Sequence, residues 1–194
     1  MERKYAWHNY DDATMEKVYA LSDTYRQFLD NGKTERECVV QAVEFAEAKG
    51  YVNLNDIIKS NTSIKAGDKI YYTHMDKSIA LFNIGTDDIE LGMNILGAHI
   101  DSPRIDVKQN PQYEDSNLVF WDTHYYGGIK KYHWVAMPLA IHGVVVKTDG
   151  TRININIGDK ESDPVFCITD LLPHLGQEQM QKNAAKVIEG EALD

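Results

Sequence analysis

The sequence predicts an α/β fold in which two helices and three strands are followed by a mainly β region, and three observations carry that expectation. Apolar and aromatic residues recur at helical spacing near the start, through Met15, Val18, Tyr19, Tyr25, Phe28 and Leu29. A capping box at Thr34-Glu35-Arg36-Glu37 then opens a second helical stretch. From Lys69 onward the pattern changes to short apolar runs and strict alternation, the period of a strand.

Taken in order, the first helix is expected from about Ala13 to Leu29, with its aromatics in the core, and Asn31-Gly32 ends it. In the second, Thr34 accepts from the amide of Glu37 while the Glu37 carboxylate returns to the amide of Thr34. Val39, Val43 and Ala46 carry that helix forward, and Gly50 closes it. After a polar connection through Asn53 and Asn61, Lys69–His74 reads as a strand, Met75-Asp76-Lys77 as a turn and Ser78–Ile84 as the partner strand. An acidic loop from Gly85 to Gly92 leads into Asn94–Ile100, expected as a buried third strand that carries the site. The polar stretch Gln109–Asn117, with Pro111, suits a domain crossing, so the chain is divided into 1–108 and 109–194. Beyond it, Gly143–Lys147 and Thr151–Ile157 flank an Asp149-Gly150 turn, a strong hairpin signal. Asp170–Ile188 reads as a helix, with Leu172, Leu175, Met180, Ala184 and Val187 as its apolar positions.

The stretch with chemical content is Gly97-Ala98-His99-Ile100-Asp101. In open α/β sheets, ligands gather just beyond the carboxyl ends of strands, and residues two apart in an extended segment project to one side. The His99 imidazole and the Asp101 carboxylate are therefore expected to meet. A histidine that ligates a metal through one ring nitrogen needs its other N–H held, commonly by a carboxylate. Taken alone, His-x-Asp favours a hydrogen-bonded histidine at a strand end over a metal ligand. Its surroundings change the balance.

Gly97–Lys108, followed by Thr123-His124-Tyr125-Tyr126-Gly127-Gly128 and Pro138-Leu139-Ala140-Ile141-His142-Gly143, closely resembles the aspartyl aminopeptidase family, also called the aminopeptidase I family. The resemblance covers nearly the whole chain, with several separated motifs in the family's order. It implies a mixed-sheet exopeptidase domain holding two zinc ions, with an inserted dimerisation domain after about Gln109. The histidine matched by His99 is a zinc ligand there, and the aspartate matched by Asp101 is its catalytic partner. Cobalt or manganese could replace zinc. Members are described as passing a histidine from the inserted domain into a neighbouring active site. His174 matches a Pro-His-Leu element of that region, while the position of a second histidine in some relatives is Glu178 here. The bridging carboxylate, the other ligands and the general-base glutamate of such a site follow the insertion, so this chain is expected to be the N-terminal portion of a longer enzyme.

Composition bounds the remaining possibilities. The chain has 194 residues, 43% of them hydrophobic, enough for a real core, and its formal net charge of -10 argues against nucleic acid or an anionic membrane as partner. No apolar run approaches a membrane span, and the polar opening Met1–His8 is unlike a signal peptide. Cys38 and Cys167 match neither a disulfide nor a zinc-finger spacing, which points to thiols in the cytoplasm. His124, His133 and His142 are read as structural histidines, and Gly127-Gly128 as a backbone device, since a P-loop's lysine and helix do not follow it. Two functions remain. One is a zinc aminopeptidase acting on peptides and assembling as a homo-oligomer, dimers building a larger assembly; the other is a non-catalytic assembly module that keeps only the dimerisation surface.

Overall fold

The computed structural model describes residues 4–194, so the polar opening read at Met1, Glu2 and Arg3 lies outside the described residues. The chain forms two compact units, Met1–Asp101 and Ser102–Asp194. No helix among the described residues is long and apolar enough to cross a membrane.

In the first unit, α1 (Asp12–Asn31) begins where the Asp11 carboxylate accepts from the Thr14 amide at 2.9 Å. The expected capping box opens α2 (Glu35–Ala48): the Glu37 amide donates to Thr34 Oγ1 at 3.3 Å, and the Thr34 amide donates to Glu37 Oε2 at 2.9 Å. Between the helices the chain passes close to α2 at Gly32, where a Cβ would stand 2.9 Å from Cys38 Sγ and 3.0 Å from the Phe28 carbonyl oxygen. Gln41 Nε2 donates to that carbonyl at 3.0 Å and ties the two helices. A mixed sheet follows. Strand β1 (Val52–Asn53) runs parallel to β2 (Lys69–His74), α3 (Leu54–Ser60) fills the crossover, and β3 (Ser78–Asn83) returns antiparallel to β2. The core is Cys38, Val39 and Ala46 of α2 with Ile70 and Tyr71 of β2. The Tyr71 hydroxyl donates to Glu47 at 2.7 Å, and this bond, followed by burial, raises the phenol's pKa.

Two expectations fail in this unit. The aromatics of α1 are not core: Tyr19 and Tyr25 are exposed, and α1 contains no buried residue. Asn94–Ile100 is neither a strand nor buried, for no regular element lies between Gly92 and Pro103. A run apolar on both sides becomes an inner strand only with neighbours and two covering layers. The described sheet, β1-β2-β3, provides it no place.

The second unit holds two hairpins. Strands β4 (Arg104–Asp115) and β5 (Leu118–Tyr126) are joined at Ser116-Asn117, whose φ values of 52° and 61° are those of a tight hairpin turn. The expected crossing at Gln109–Asn117 is therefore strand and turn. Register passes from Val107 opposite Thr123 to Gln112 opposite Trp121, so Lys108, Gln109, Asn110 and Pro111 bulge against Asp122, and Lys108 Nζ donates to its Oδ1 at 2.9 Å. A bulge is where a strand admits proline. Strands β6 (Ile141–Val146) and β7 (Arg152–Ile157) pair in the expected register around Gly150, which has φ 84°.

The helix expected over Asp170–Ile188 shrinks to α4 (Gln177–Met180), the rest being turns and irregular chain. Asp170 Oδ1 accepts from the Leu171 amide and from Gln179 Nε2, local bonds that compete with helical pairing. The turns also carry Ile188 into the core beside Ile168 and Leu193.

Candidate metal centre

His99 lies in the irregular stretch that ends the first unit, its side chain 83% exposed. Its Nδ1 stands 2.9 Å from the Asp101 carbonyl oxygen and 3.1 Å from Asp101 Oδ1. The expected meeting of the two side chains is present, although the chain between them is not a strand. Both neighbours of Nδ1 are acceptors, so in the neutral ring Nδ1 carries the proton and Nε2 keeps its lone pair. This is the arrangement of a metal-ligating histidine oriented by a carboxylate.

One imidazole is only part of a ligand set, since zinc sites take three or four protein donors. No group of three or more His, Cys, Asp or Glu among the described residues could hold a metal ion. The donor chemistry of His99 with Asp101 thus fits one ligand position for zinc and its orienting partner, and no more.

The other histidines weighed in the sequence, His124, His133, His142 and His174, belong to the second unit. On β5, His124 Nδ1 donates to the Tyr125 carbonyl at 2.7 Å. His133 ends a 3-10 turn, edge-on to Tyr132 with ring centroids 4.6 Å apart. His142 Nε2 is 3.2 Å from Asp159 Oδ1, while Asn156, opposite His142 in the hairpin, donates to Asp159 Oδ2 at 2.9 Å. Sequence reading passed over this pair because hairpin register, not spacing, assembles it. His174 is exposed in the turn before α4, and Glu178 is on α4. Gly127 has φ 76°, the positive φ that its reading as a backbone device requires. At the base of the first hairpin the Arg104 guanidinium lies over the Tyr126 ring at 4.2 Å and its Nε donates to Asp106 at 2.7 Å.

A mixed α/β unit that ends in an oriented imidazole has the makings of part of a metalloprotein. The family model described as aminopeptidase I zinc metalloprotease (M18) matches residues 28–193. A probable M18 family aminopeptidase 1 from Clostridium acetobutylicum is 52% identical over 193 residues, covering 100% of this chain and 42% of that protein. The crystal structure of an M18 aminopeptidase from Thermotoga maritima superposes with a TM-score of 0.88 at 44% identity, over 100% of this chain and 41% of the other. Aminopeptidase I from Borrelia burgdorferi gives 0.79 at 41% identity, over 89% and 41%. The chain belongs to the aminopeptidase I zinc metalloprotease family, M18. It spans about two fifths of the length of the relatives it matches.

Proposed function

We propose that this chain supplies one ligand position of a zinc-dependent aminopeptidase, an enzyme that removes N-terminal residues from peptides. The observation that carries the reading is the pair of acceptors on His99 Nδ1, which leaves Nε2 to hold a metal. His99 would hold zinc, and Asp101 would fix the ring's tautomer. Zinc, when bound, lowers the pKa of a water and polarises a carbonyl. Two ions per complete site, with cobalt or manganese as substitutes, fit the family reading; the other ligands and the general base come from polypeptide outside this sequence. The first unit belongs to the peptidase domain, and the second unit to an inserted dimerisation domain of a cytoplasmic homo-oligomer.

The test is hydrolysis of aspartyl, glutamyl and leucyl chromogenic substrates with zinc, manganese or cobalt. It compares this chain alone with a chimaera in which it replaces the matching region of the Clostridium acetobutylicum relative. The expected result is turnover by the chimaera, lost in His99→Ala, and none by the chain alone. Turnover by the chain alone that vanishes in His99→Ala would overturn the partial-site reading. An inactive chimaera would favour the assembly module.

A further inference from the structure

Asn31-Gly32, the joint between α1 and α2, is the only Asn-Gly step in the sequence. Asparagine is a thermolabile residue, and a following glycine exposes it most, having no Cβ to keep its own backbone nitrogen away from the asparagine Cγ. The fold leaves that nitrogen free. Gly32 follows the last residue of α1, and in a continued helix its N–H would donate to the Phe28 carbonyl. That carbonyl accepts from Gln41 Nε2 at 3.0 Å. On the other side, the amides of Lys33 and Thr34 both donate to Glu37 Oε2 at 2.9 Å. Among the described residues the Gly32 amide donates to no acceptor. Asn31 itself is exposed and ends a helix, where the backbone frays most readily. Both helices that frame the step lie within this chain.

We infer that Asn31-Gly32 is a self-modification site, at which the chain converts Asn31 to aspartate and isoaspartate and thereby loosens the joint between α1 and α2. The Gly32 nitrogen gives its proton to base in the solvent and attacks Asn31 Cγ. The N–Cγ bond forms, the Cγ–Nδ2 bond breaks, and ammonia leaves with a proton from water, closing a cyclic succinimide. Water then adds to one imide carbonyl and breaks that carbonyl's bond to nitrogen. Opening at Cγ gives aspartate; opening at the main-chain carbonyl gives isoaspartate, whose backbone runs through Cγ. Isoaspartate lengthens the backbone by one methylene immediately before Gly32. There is no slack at that residue, since a Cβ on it would stand 2.9 Å from Cys38 Sγ and from Gln41 Nε2. The added length therefore disturbs the bond from Gln41 to the Phe28 carbonyl that ties the helices. Either product also places a negative charge at the C-terminal end of α1, where the helix dipole disfavours it.

The experiment ages the chain and the chimaera in warm, mildly alkaline buffer, beside the chain unfolded in guanidinium chloride. Peptide mapping by mass spectrometry should show the amide replaced by a carboxyl in the peptide holding Asn31, at a rate of the same order as in the unfolded chain. Isoaspartyl methyltransferase should label the isoaspartate fraction. Asn31→Gln, whose longer side chain closes the ring far more slowly, should remove both signals and leave the circular dichroism of the fresh chain unchanged, because residue 31 is exposed. In the isolated isoaspartate form, amide exchange in the last turn of α1 and the first turn of α2 should quicken relative to the fresh chain. The inference is overturned if Asn31 keeps its amide in either folded protein while the unfolded chain loses it. It is equally overturned if the signals persist in Asn31→Gln, or if the isoaspartate form exchanges like the fresh chain.

Discussion

A carbonyl oxygen and a carboxylate oxygen on the same ring nitrogen give His99 a fixed tautomer, and this can be measured before any metal is added. Nitrogen-15 NMR of the chain, at a pH where the ring is neutral, should show the proton on Nδ1. In Asp101→Ala the carboxylate is gone and a population protonated on Nε2 should grow. A wild-type ring protonated mainly on Nε2 would contradict the orienting role of Asp101. The same two residues show what was readable. That they meet followed from their spacing, whereas the loss of strand geometry between them depends on neighbours that no local pattern reports.

At the scale of elements, local signals were the dependable ones. The Thr34–Glu37 box, the Lys69–His74 and Ser78–Asn83 pairing and the Asp149-Gly150 hairpin all stand where short-range chemistry puts them. The failures share a cause in tertiary context. Pro111 and its polar neighbours masked a strand because a bulge accommodates them, and the apolar spacing after Asp170 masked a series of turns whose buried residue, Ile188, belongs to a core made of distant segments. The helix starts give a stability prediction. Thr34→Ala should cost about 0.5–2 kcal/mol in urea unfolding, the usual loss for an N-cap. Asp11 adds a pH dependence with a definite sign. Hydrogen bonds from Thr14, hydroxyl and then amide, hold its carboxyl below the ordinary value, so its contribution is present above the ordinary carboxylate pKa and lost as pH falls through the lowered one. Helicity of α1 should fray with that acid transition, and Asp11→Asn should remove the dependence while keeping a cap. An acid profile identical in the two chains would contradict this.

For the whole molecule, two compact units with exposed apolar surfaces describe a chain whose own core is small. In the second unit Leu193 is fully buried with Ile168 and Ile188. Thr123 Oγ1 donates to the Leu193 carbonyl, and the Thr123 amide donates to Asp194 Oδ1 at 3.2 Å. The segment bearing Leu193 is thus a core element of the second unit, and Leu193→Ala should cost about 2–5 kcal/mol, read from chemical denaturation. A loss under about 0.5 kcal/mol, the range of ordinary surface changes, would show the segment to be dispensable. The central claim, that His99 is a zinc ligand oriented by Asp101, is tested most directly by the metal content of the chimaera, measured by mass spectrometry of the intact protein together with turnover against zinc concentration. The account predicts that His99→Ala lacks one zinc and is inactive, while Asp101→Asn binds zinc about 10- to 100-fold more weakly and recovers activity when zinc is in excess. Full zinc occupancy and unchanged turnover in both variants would contradict it.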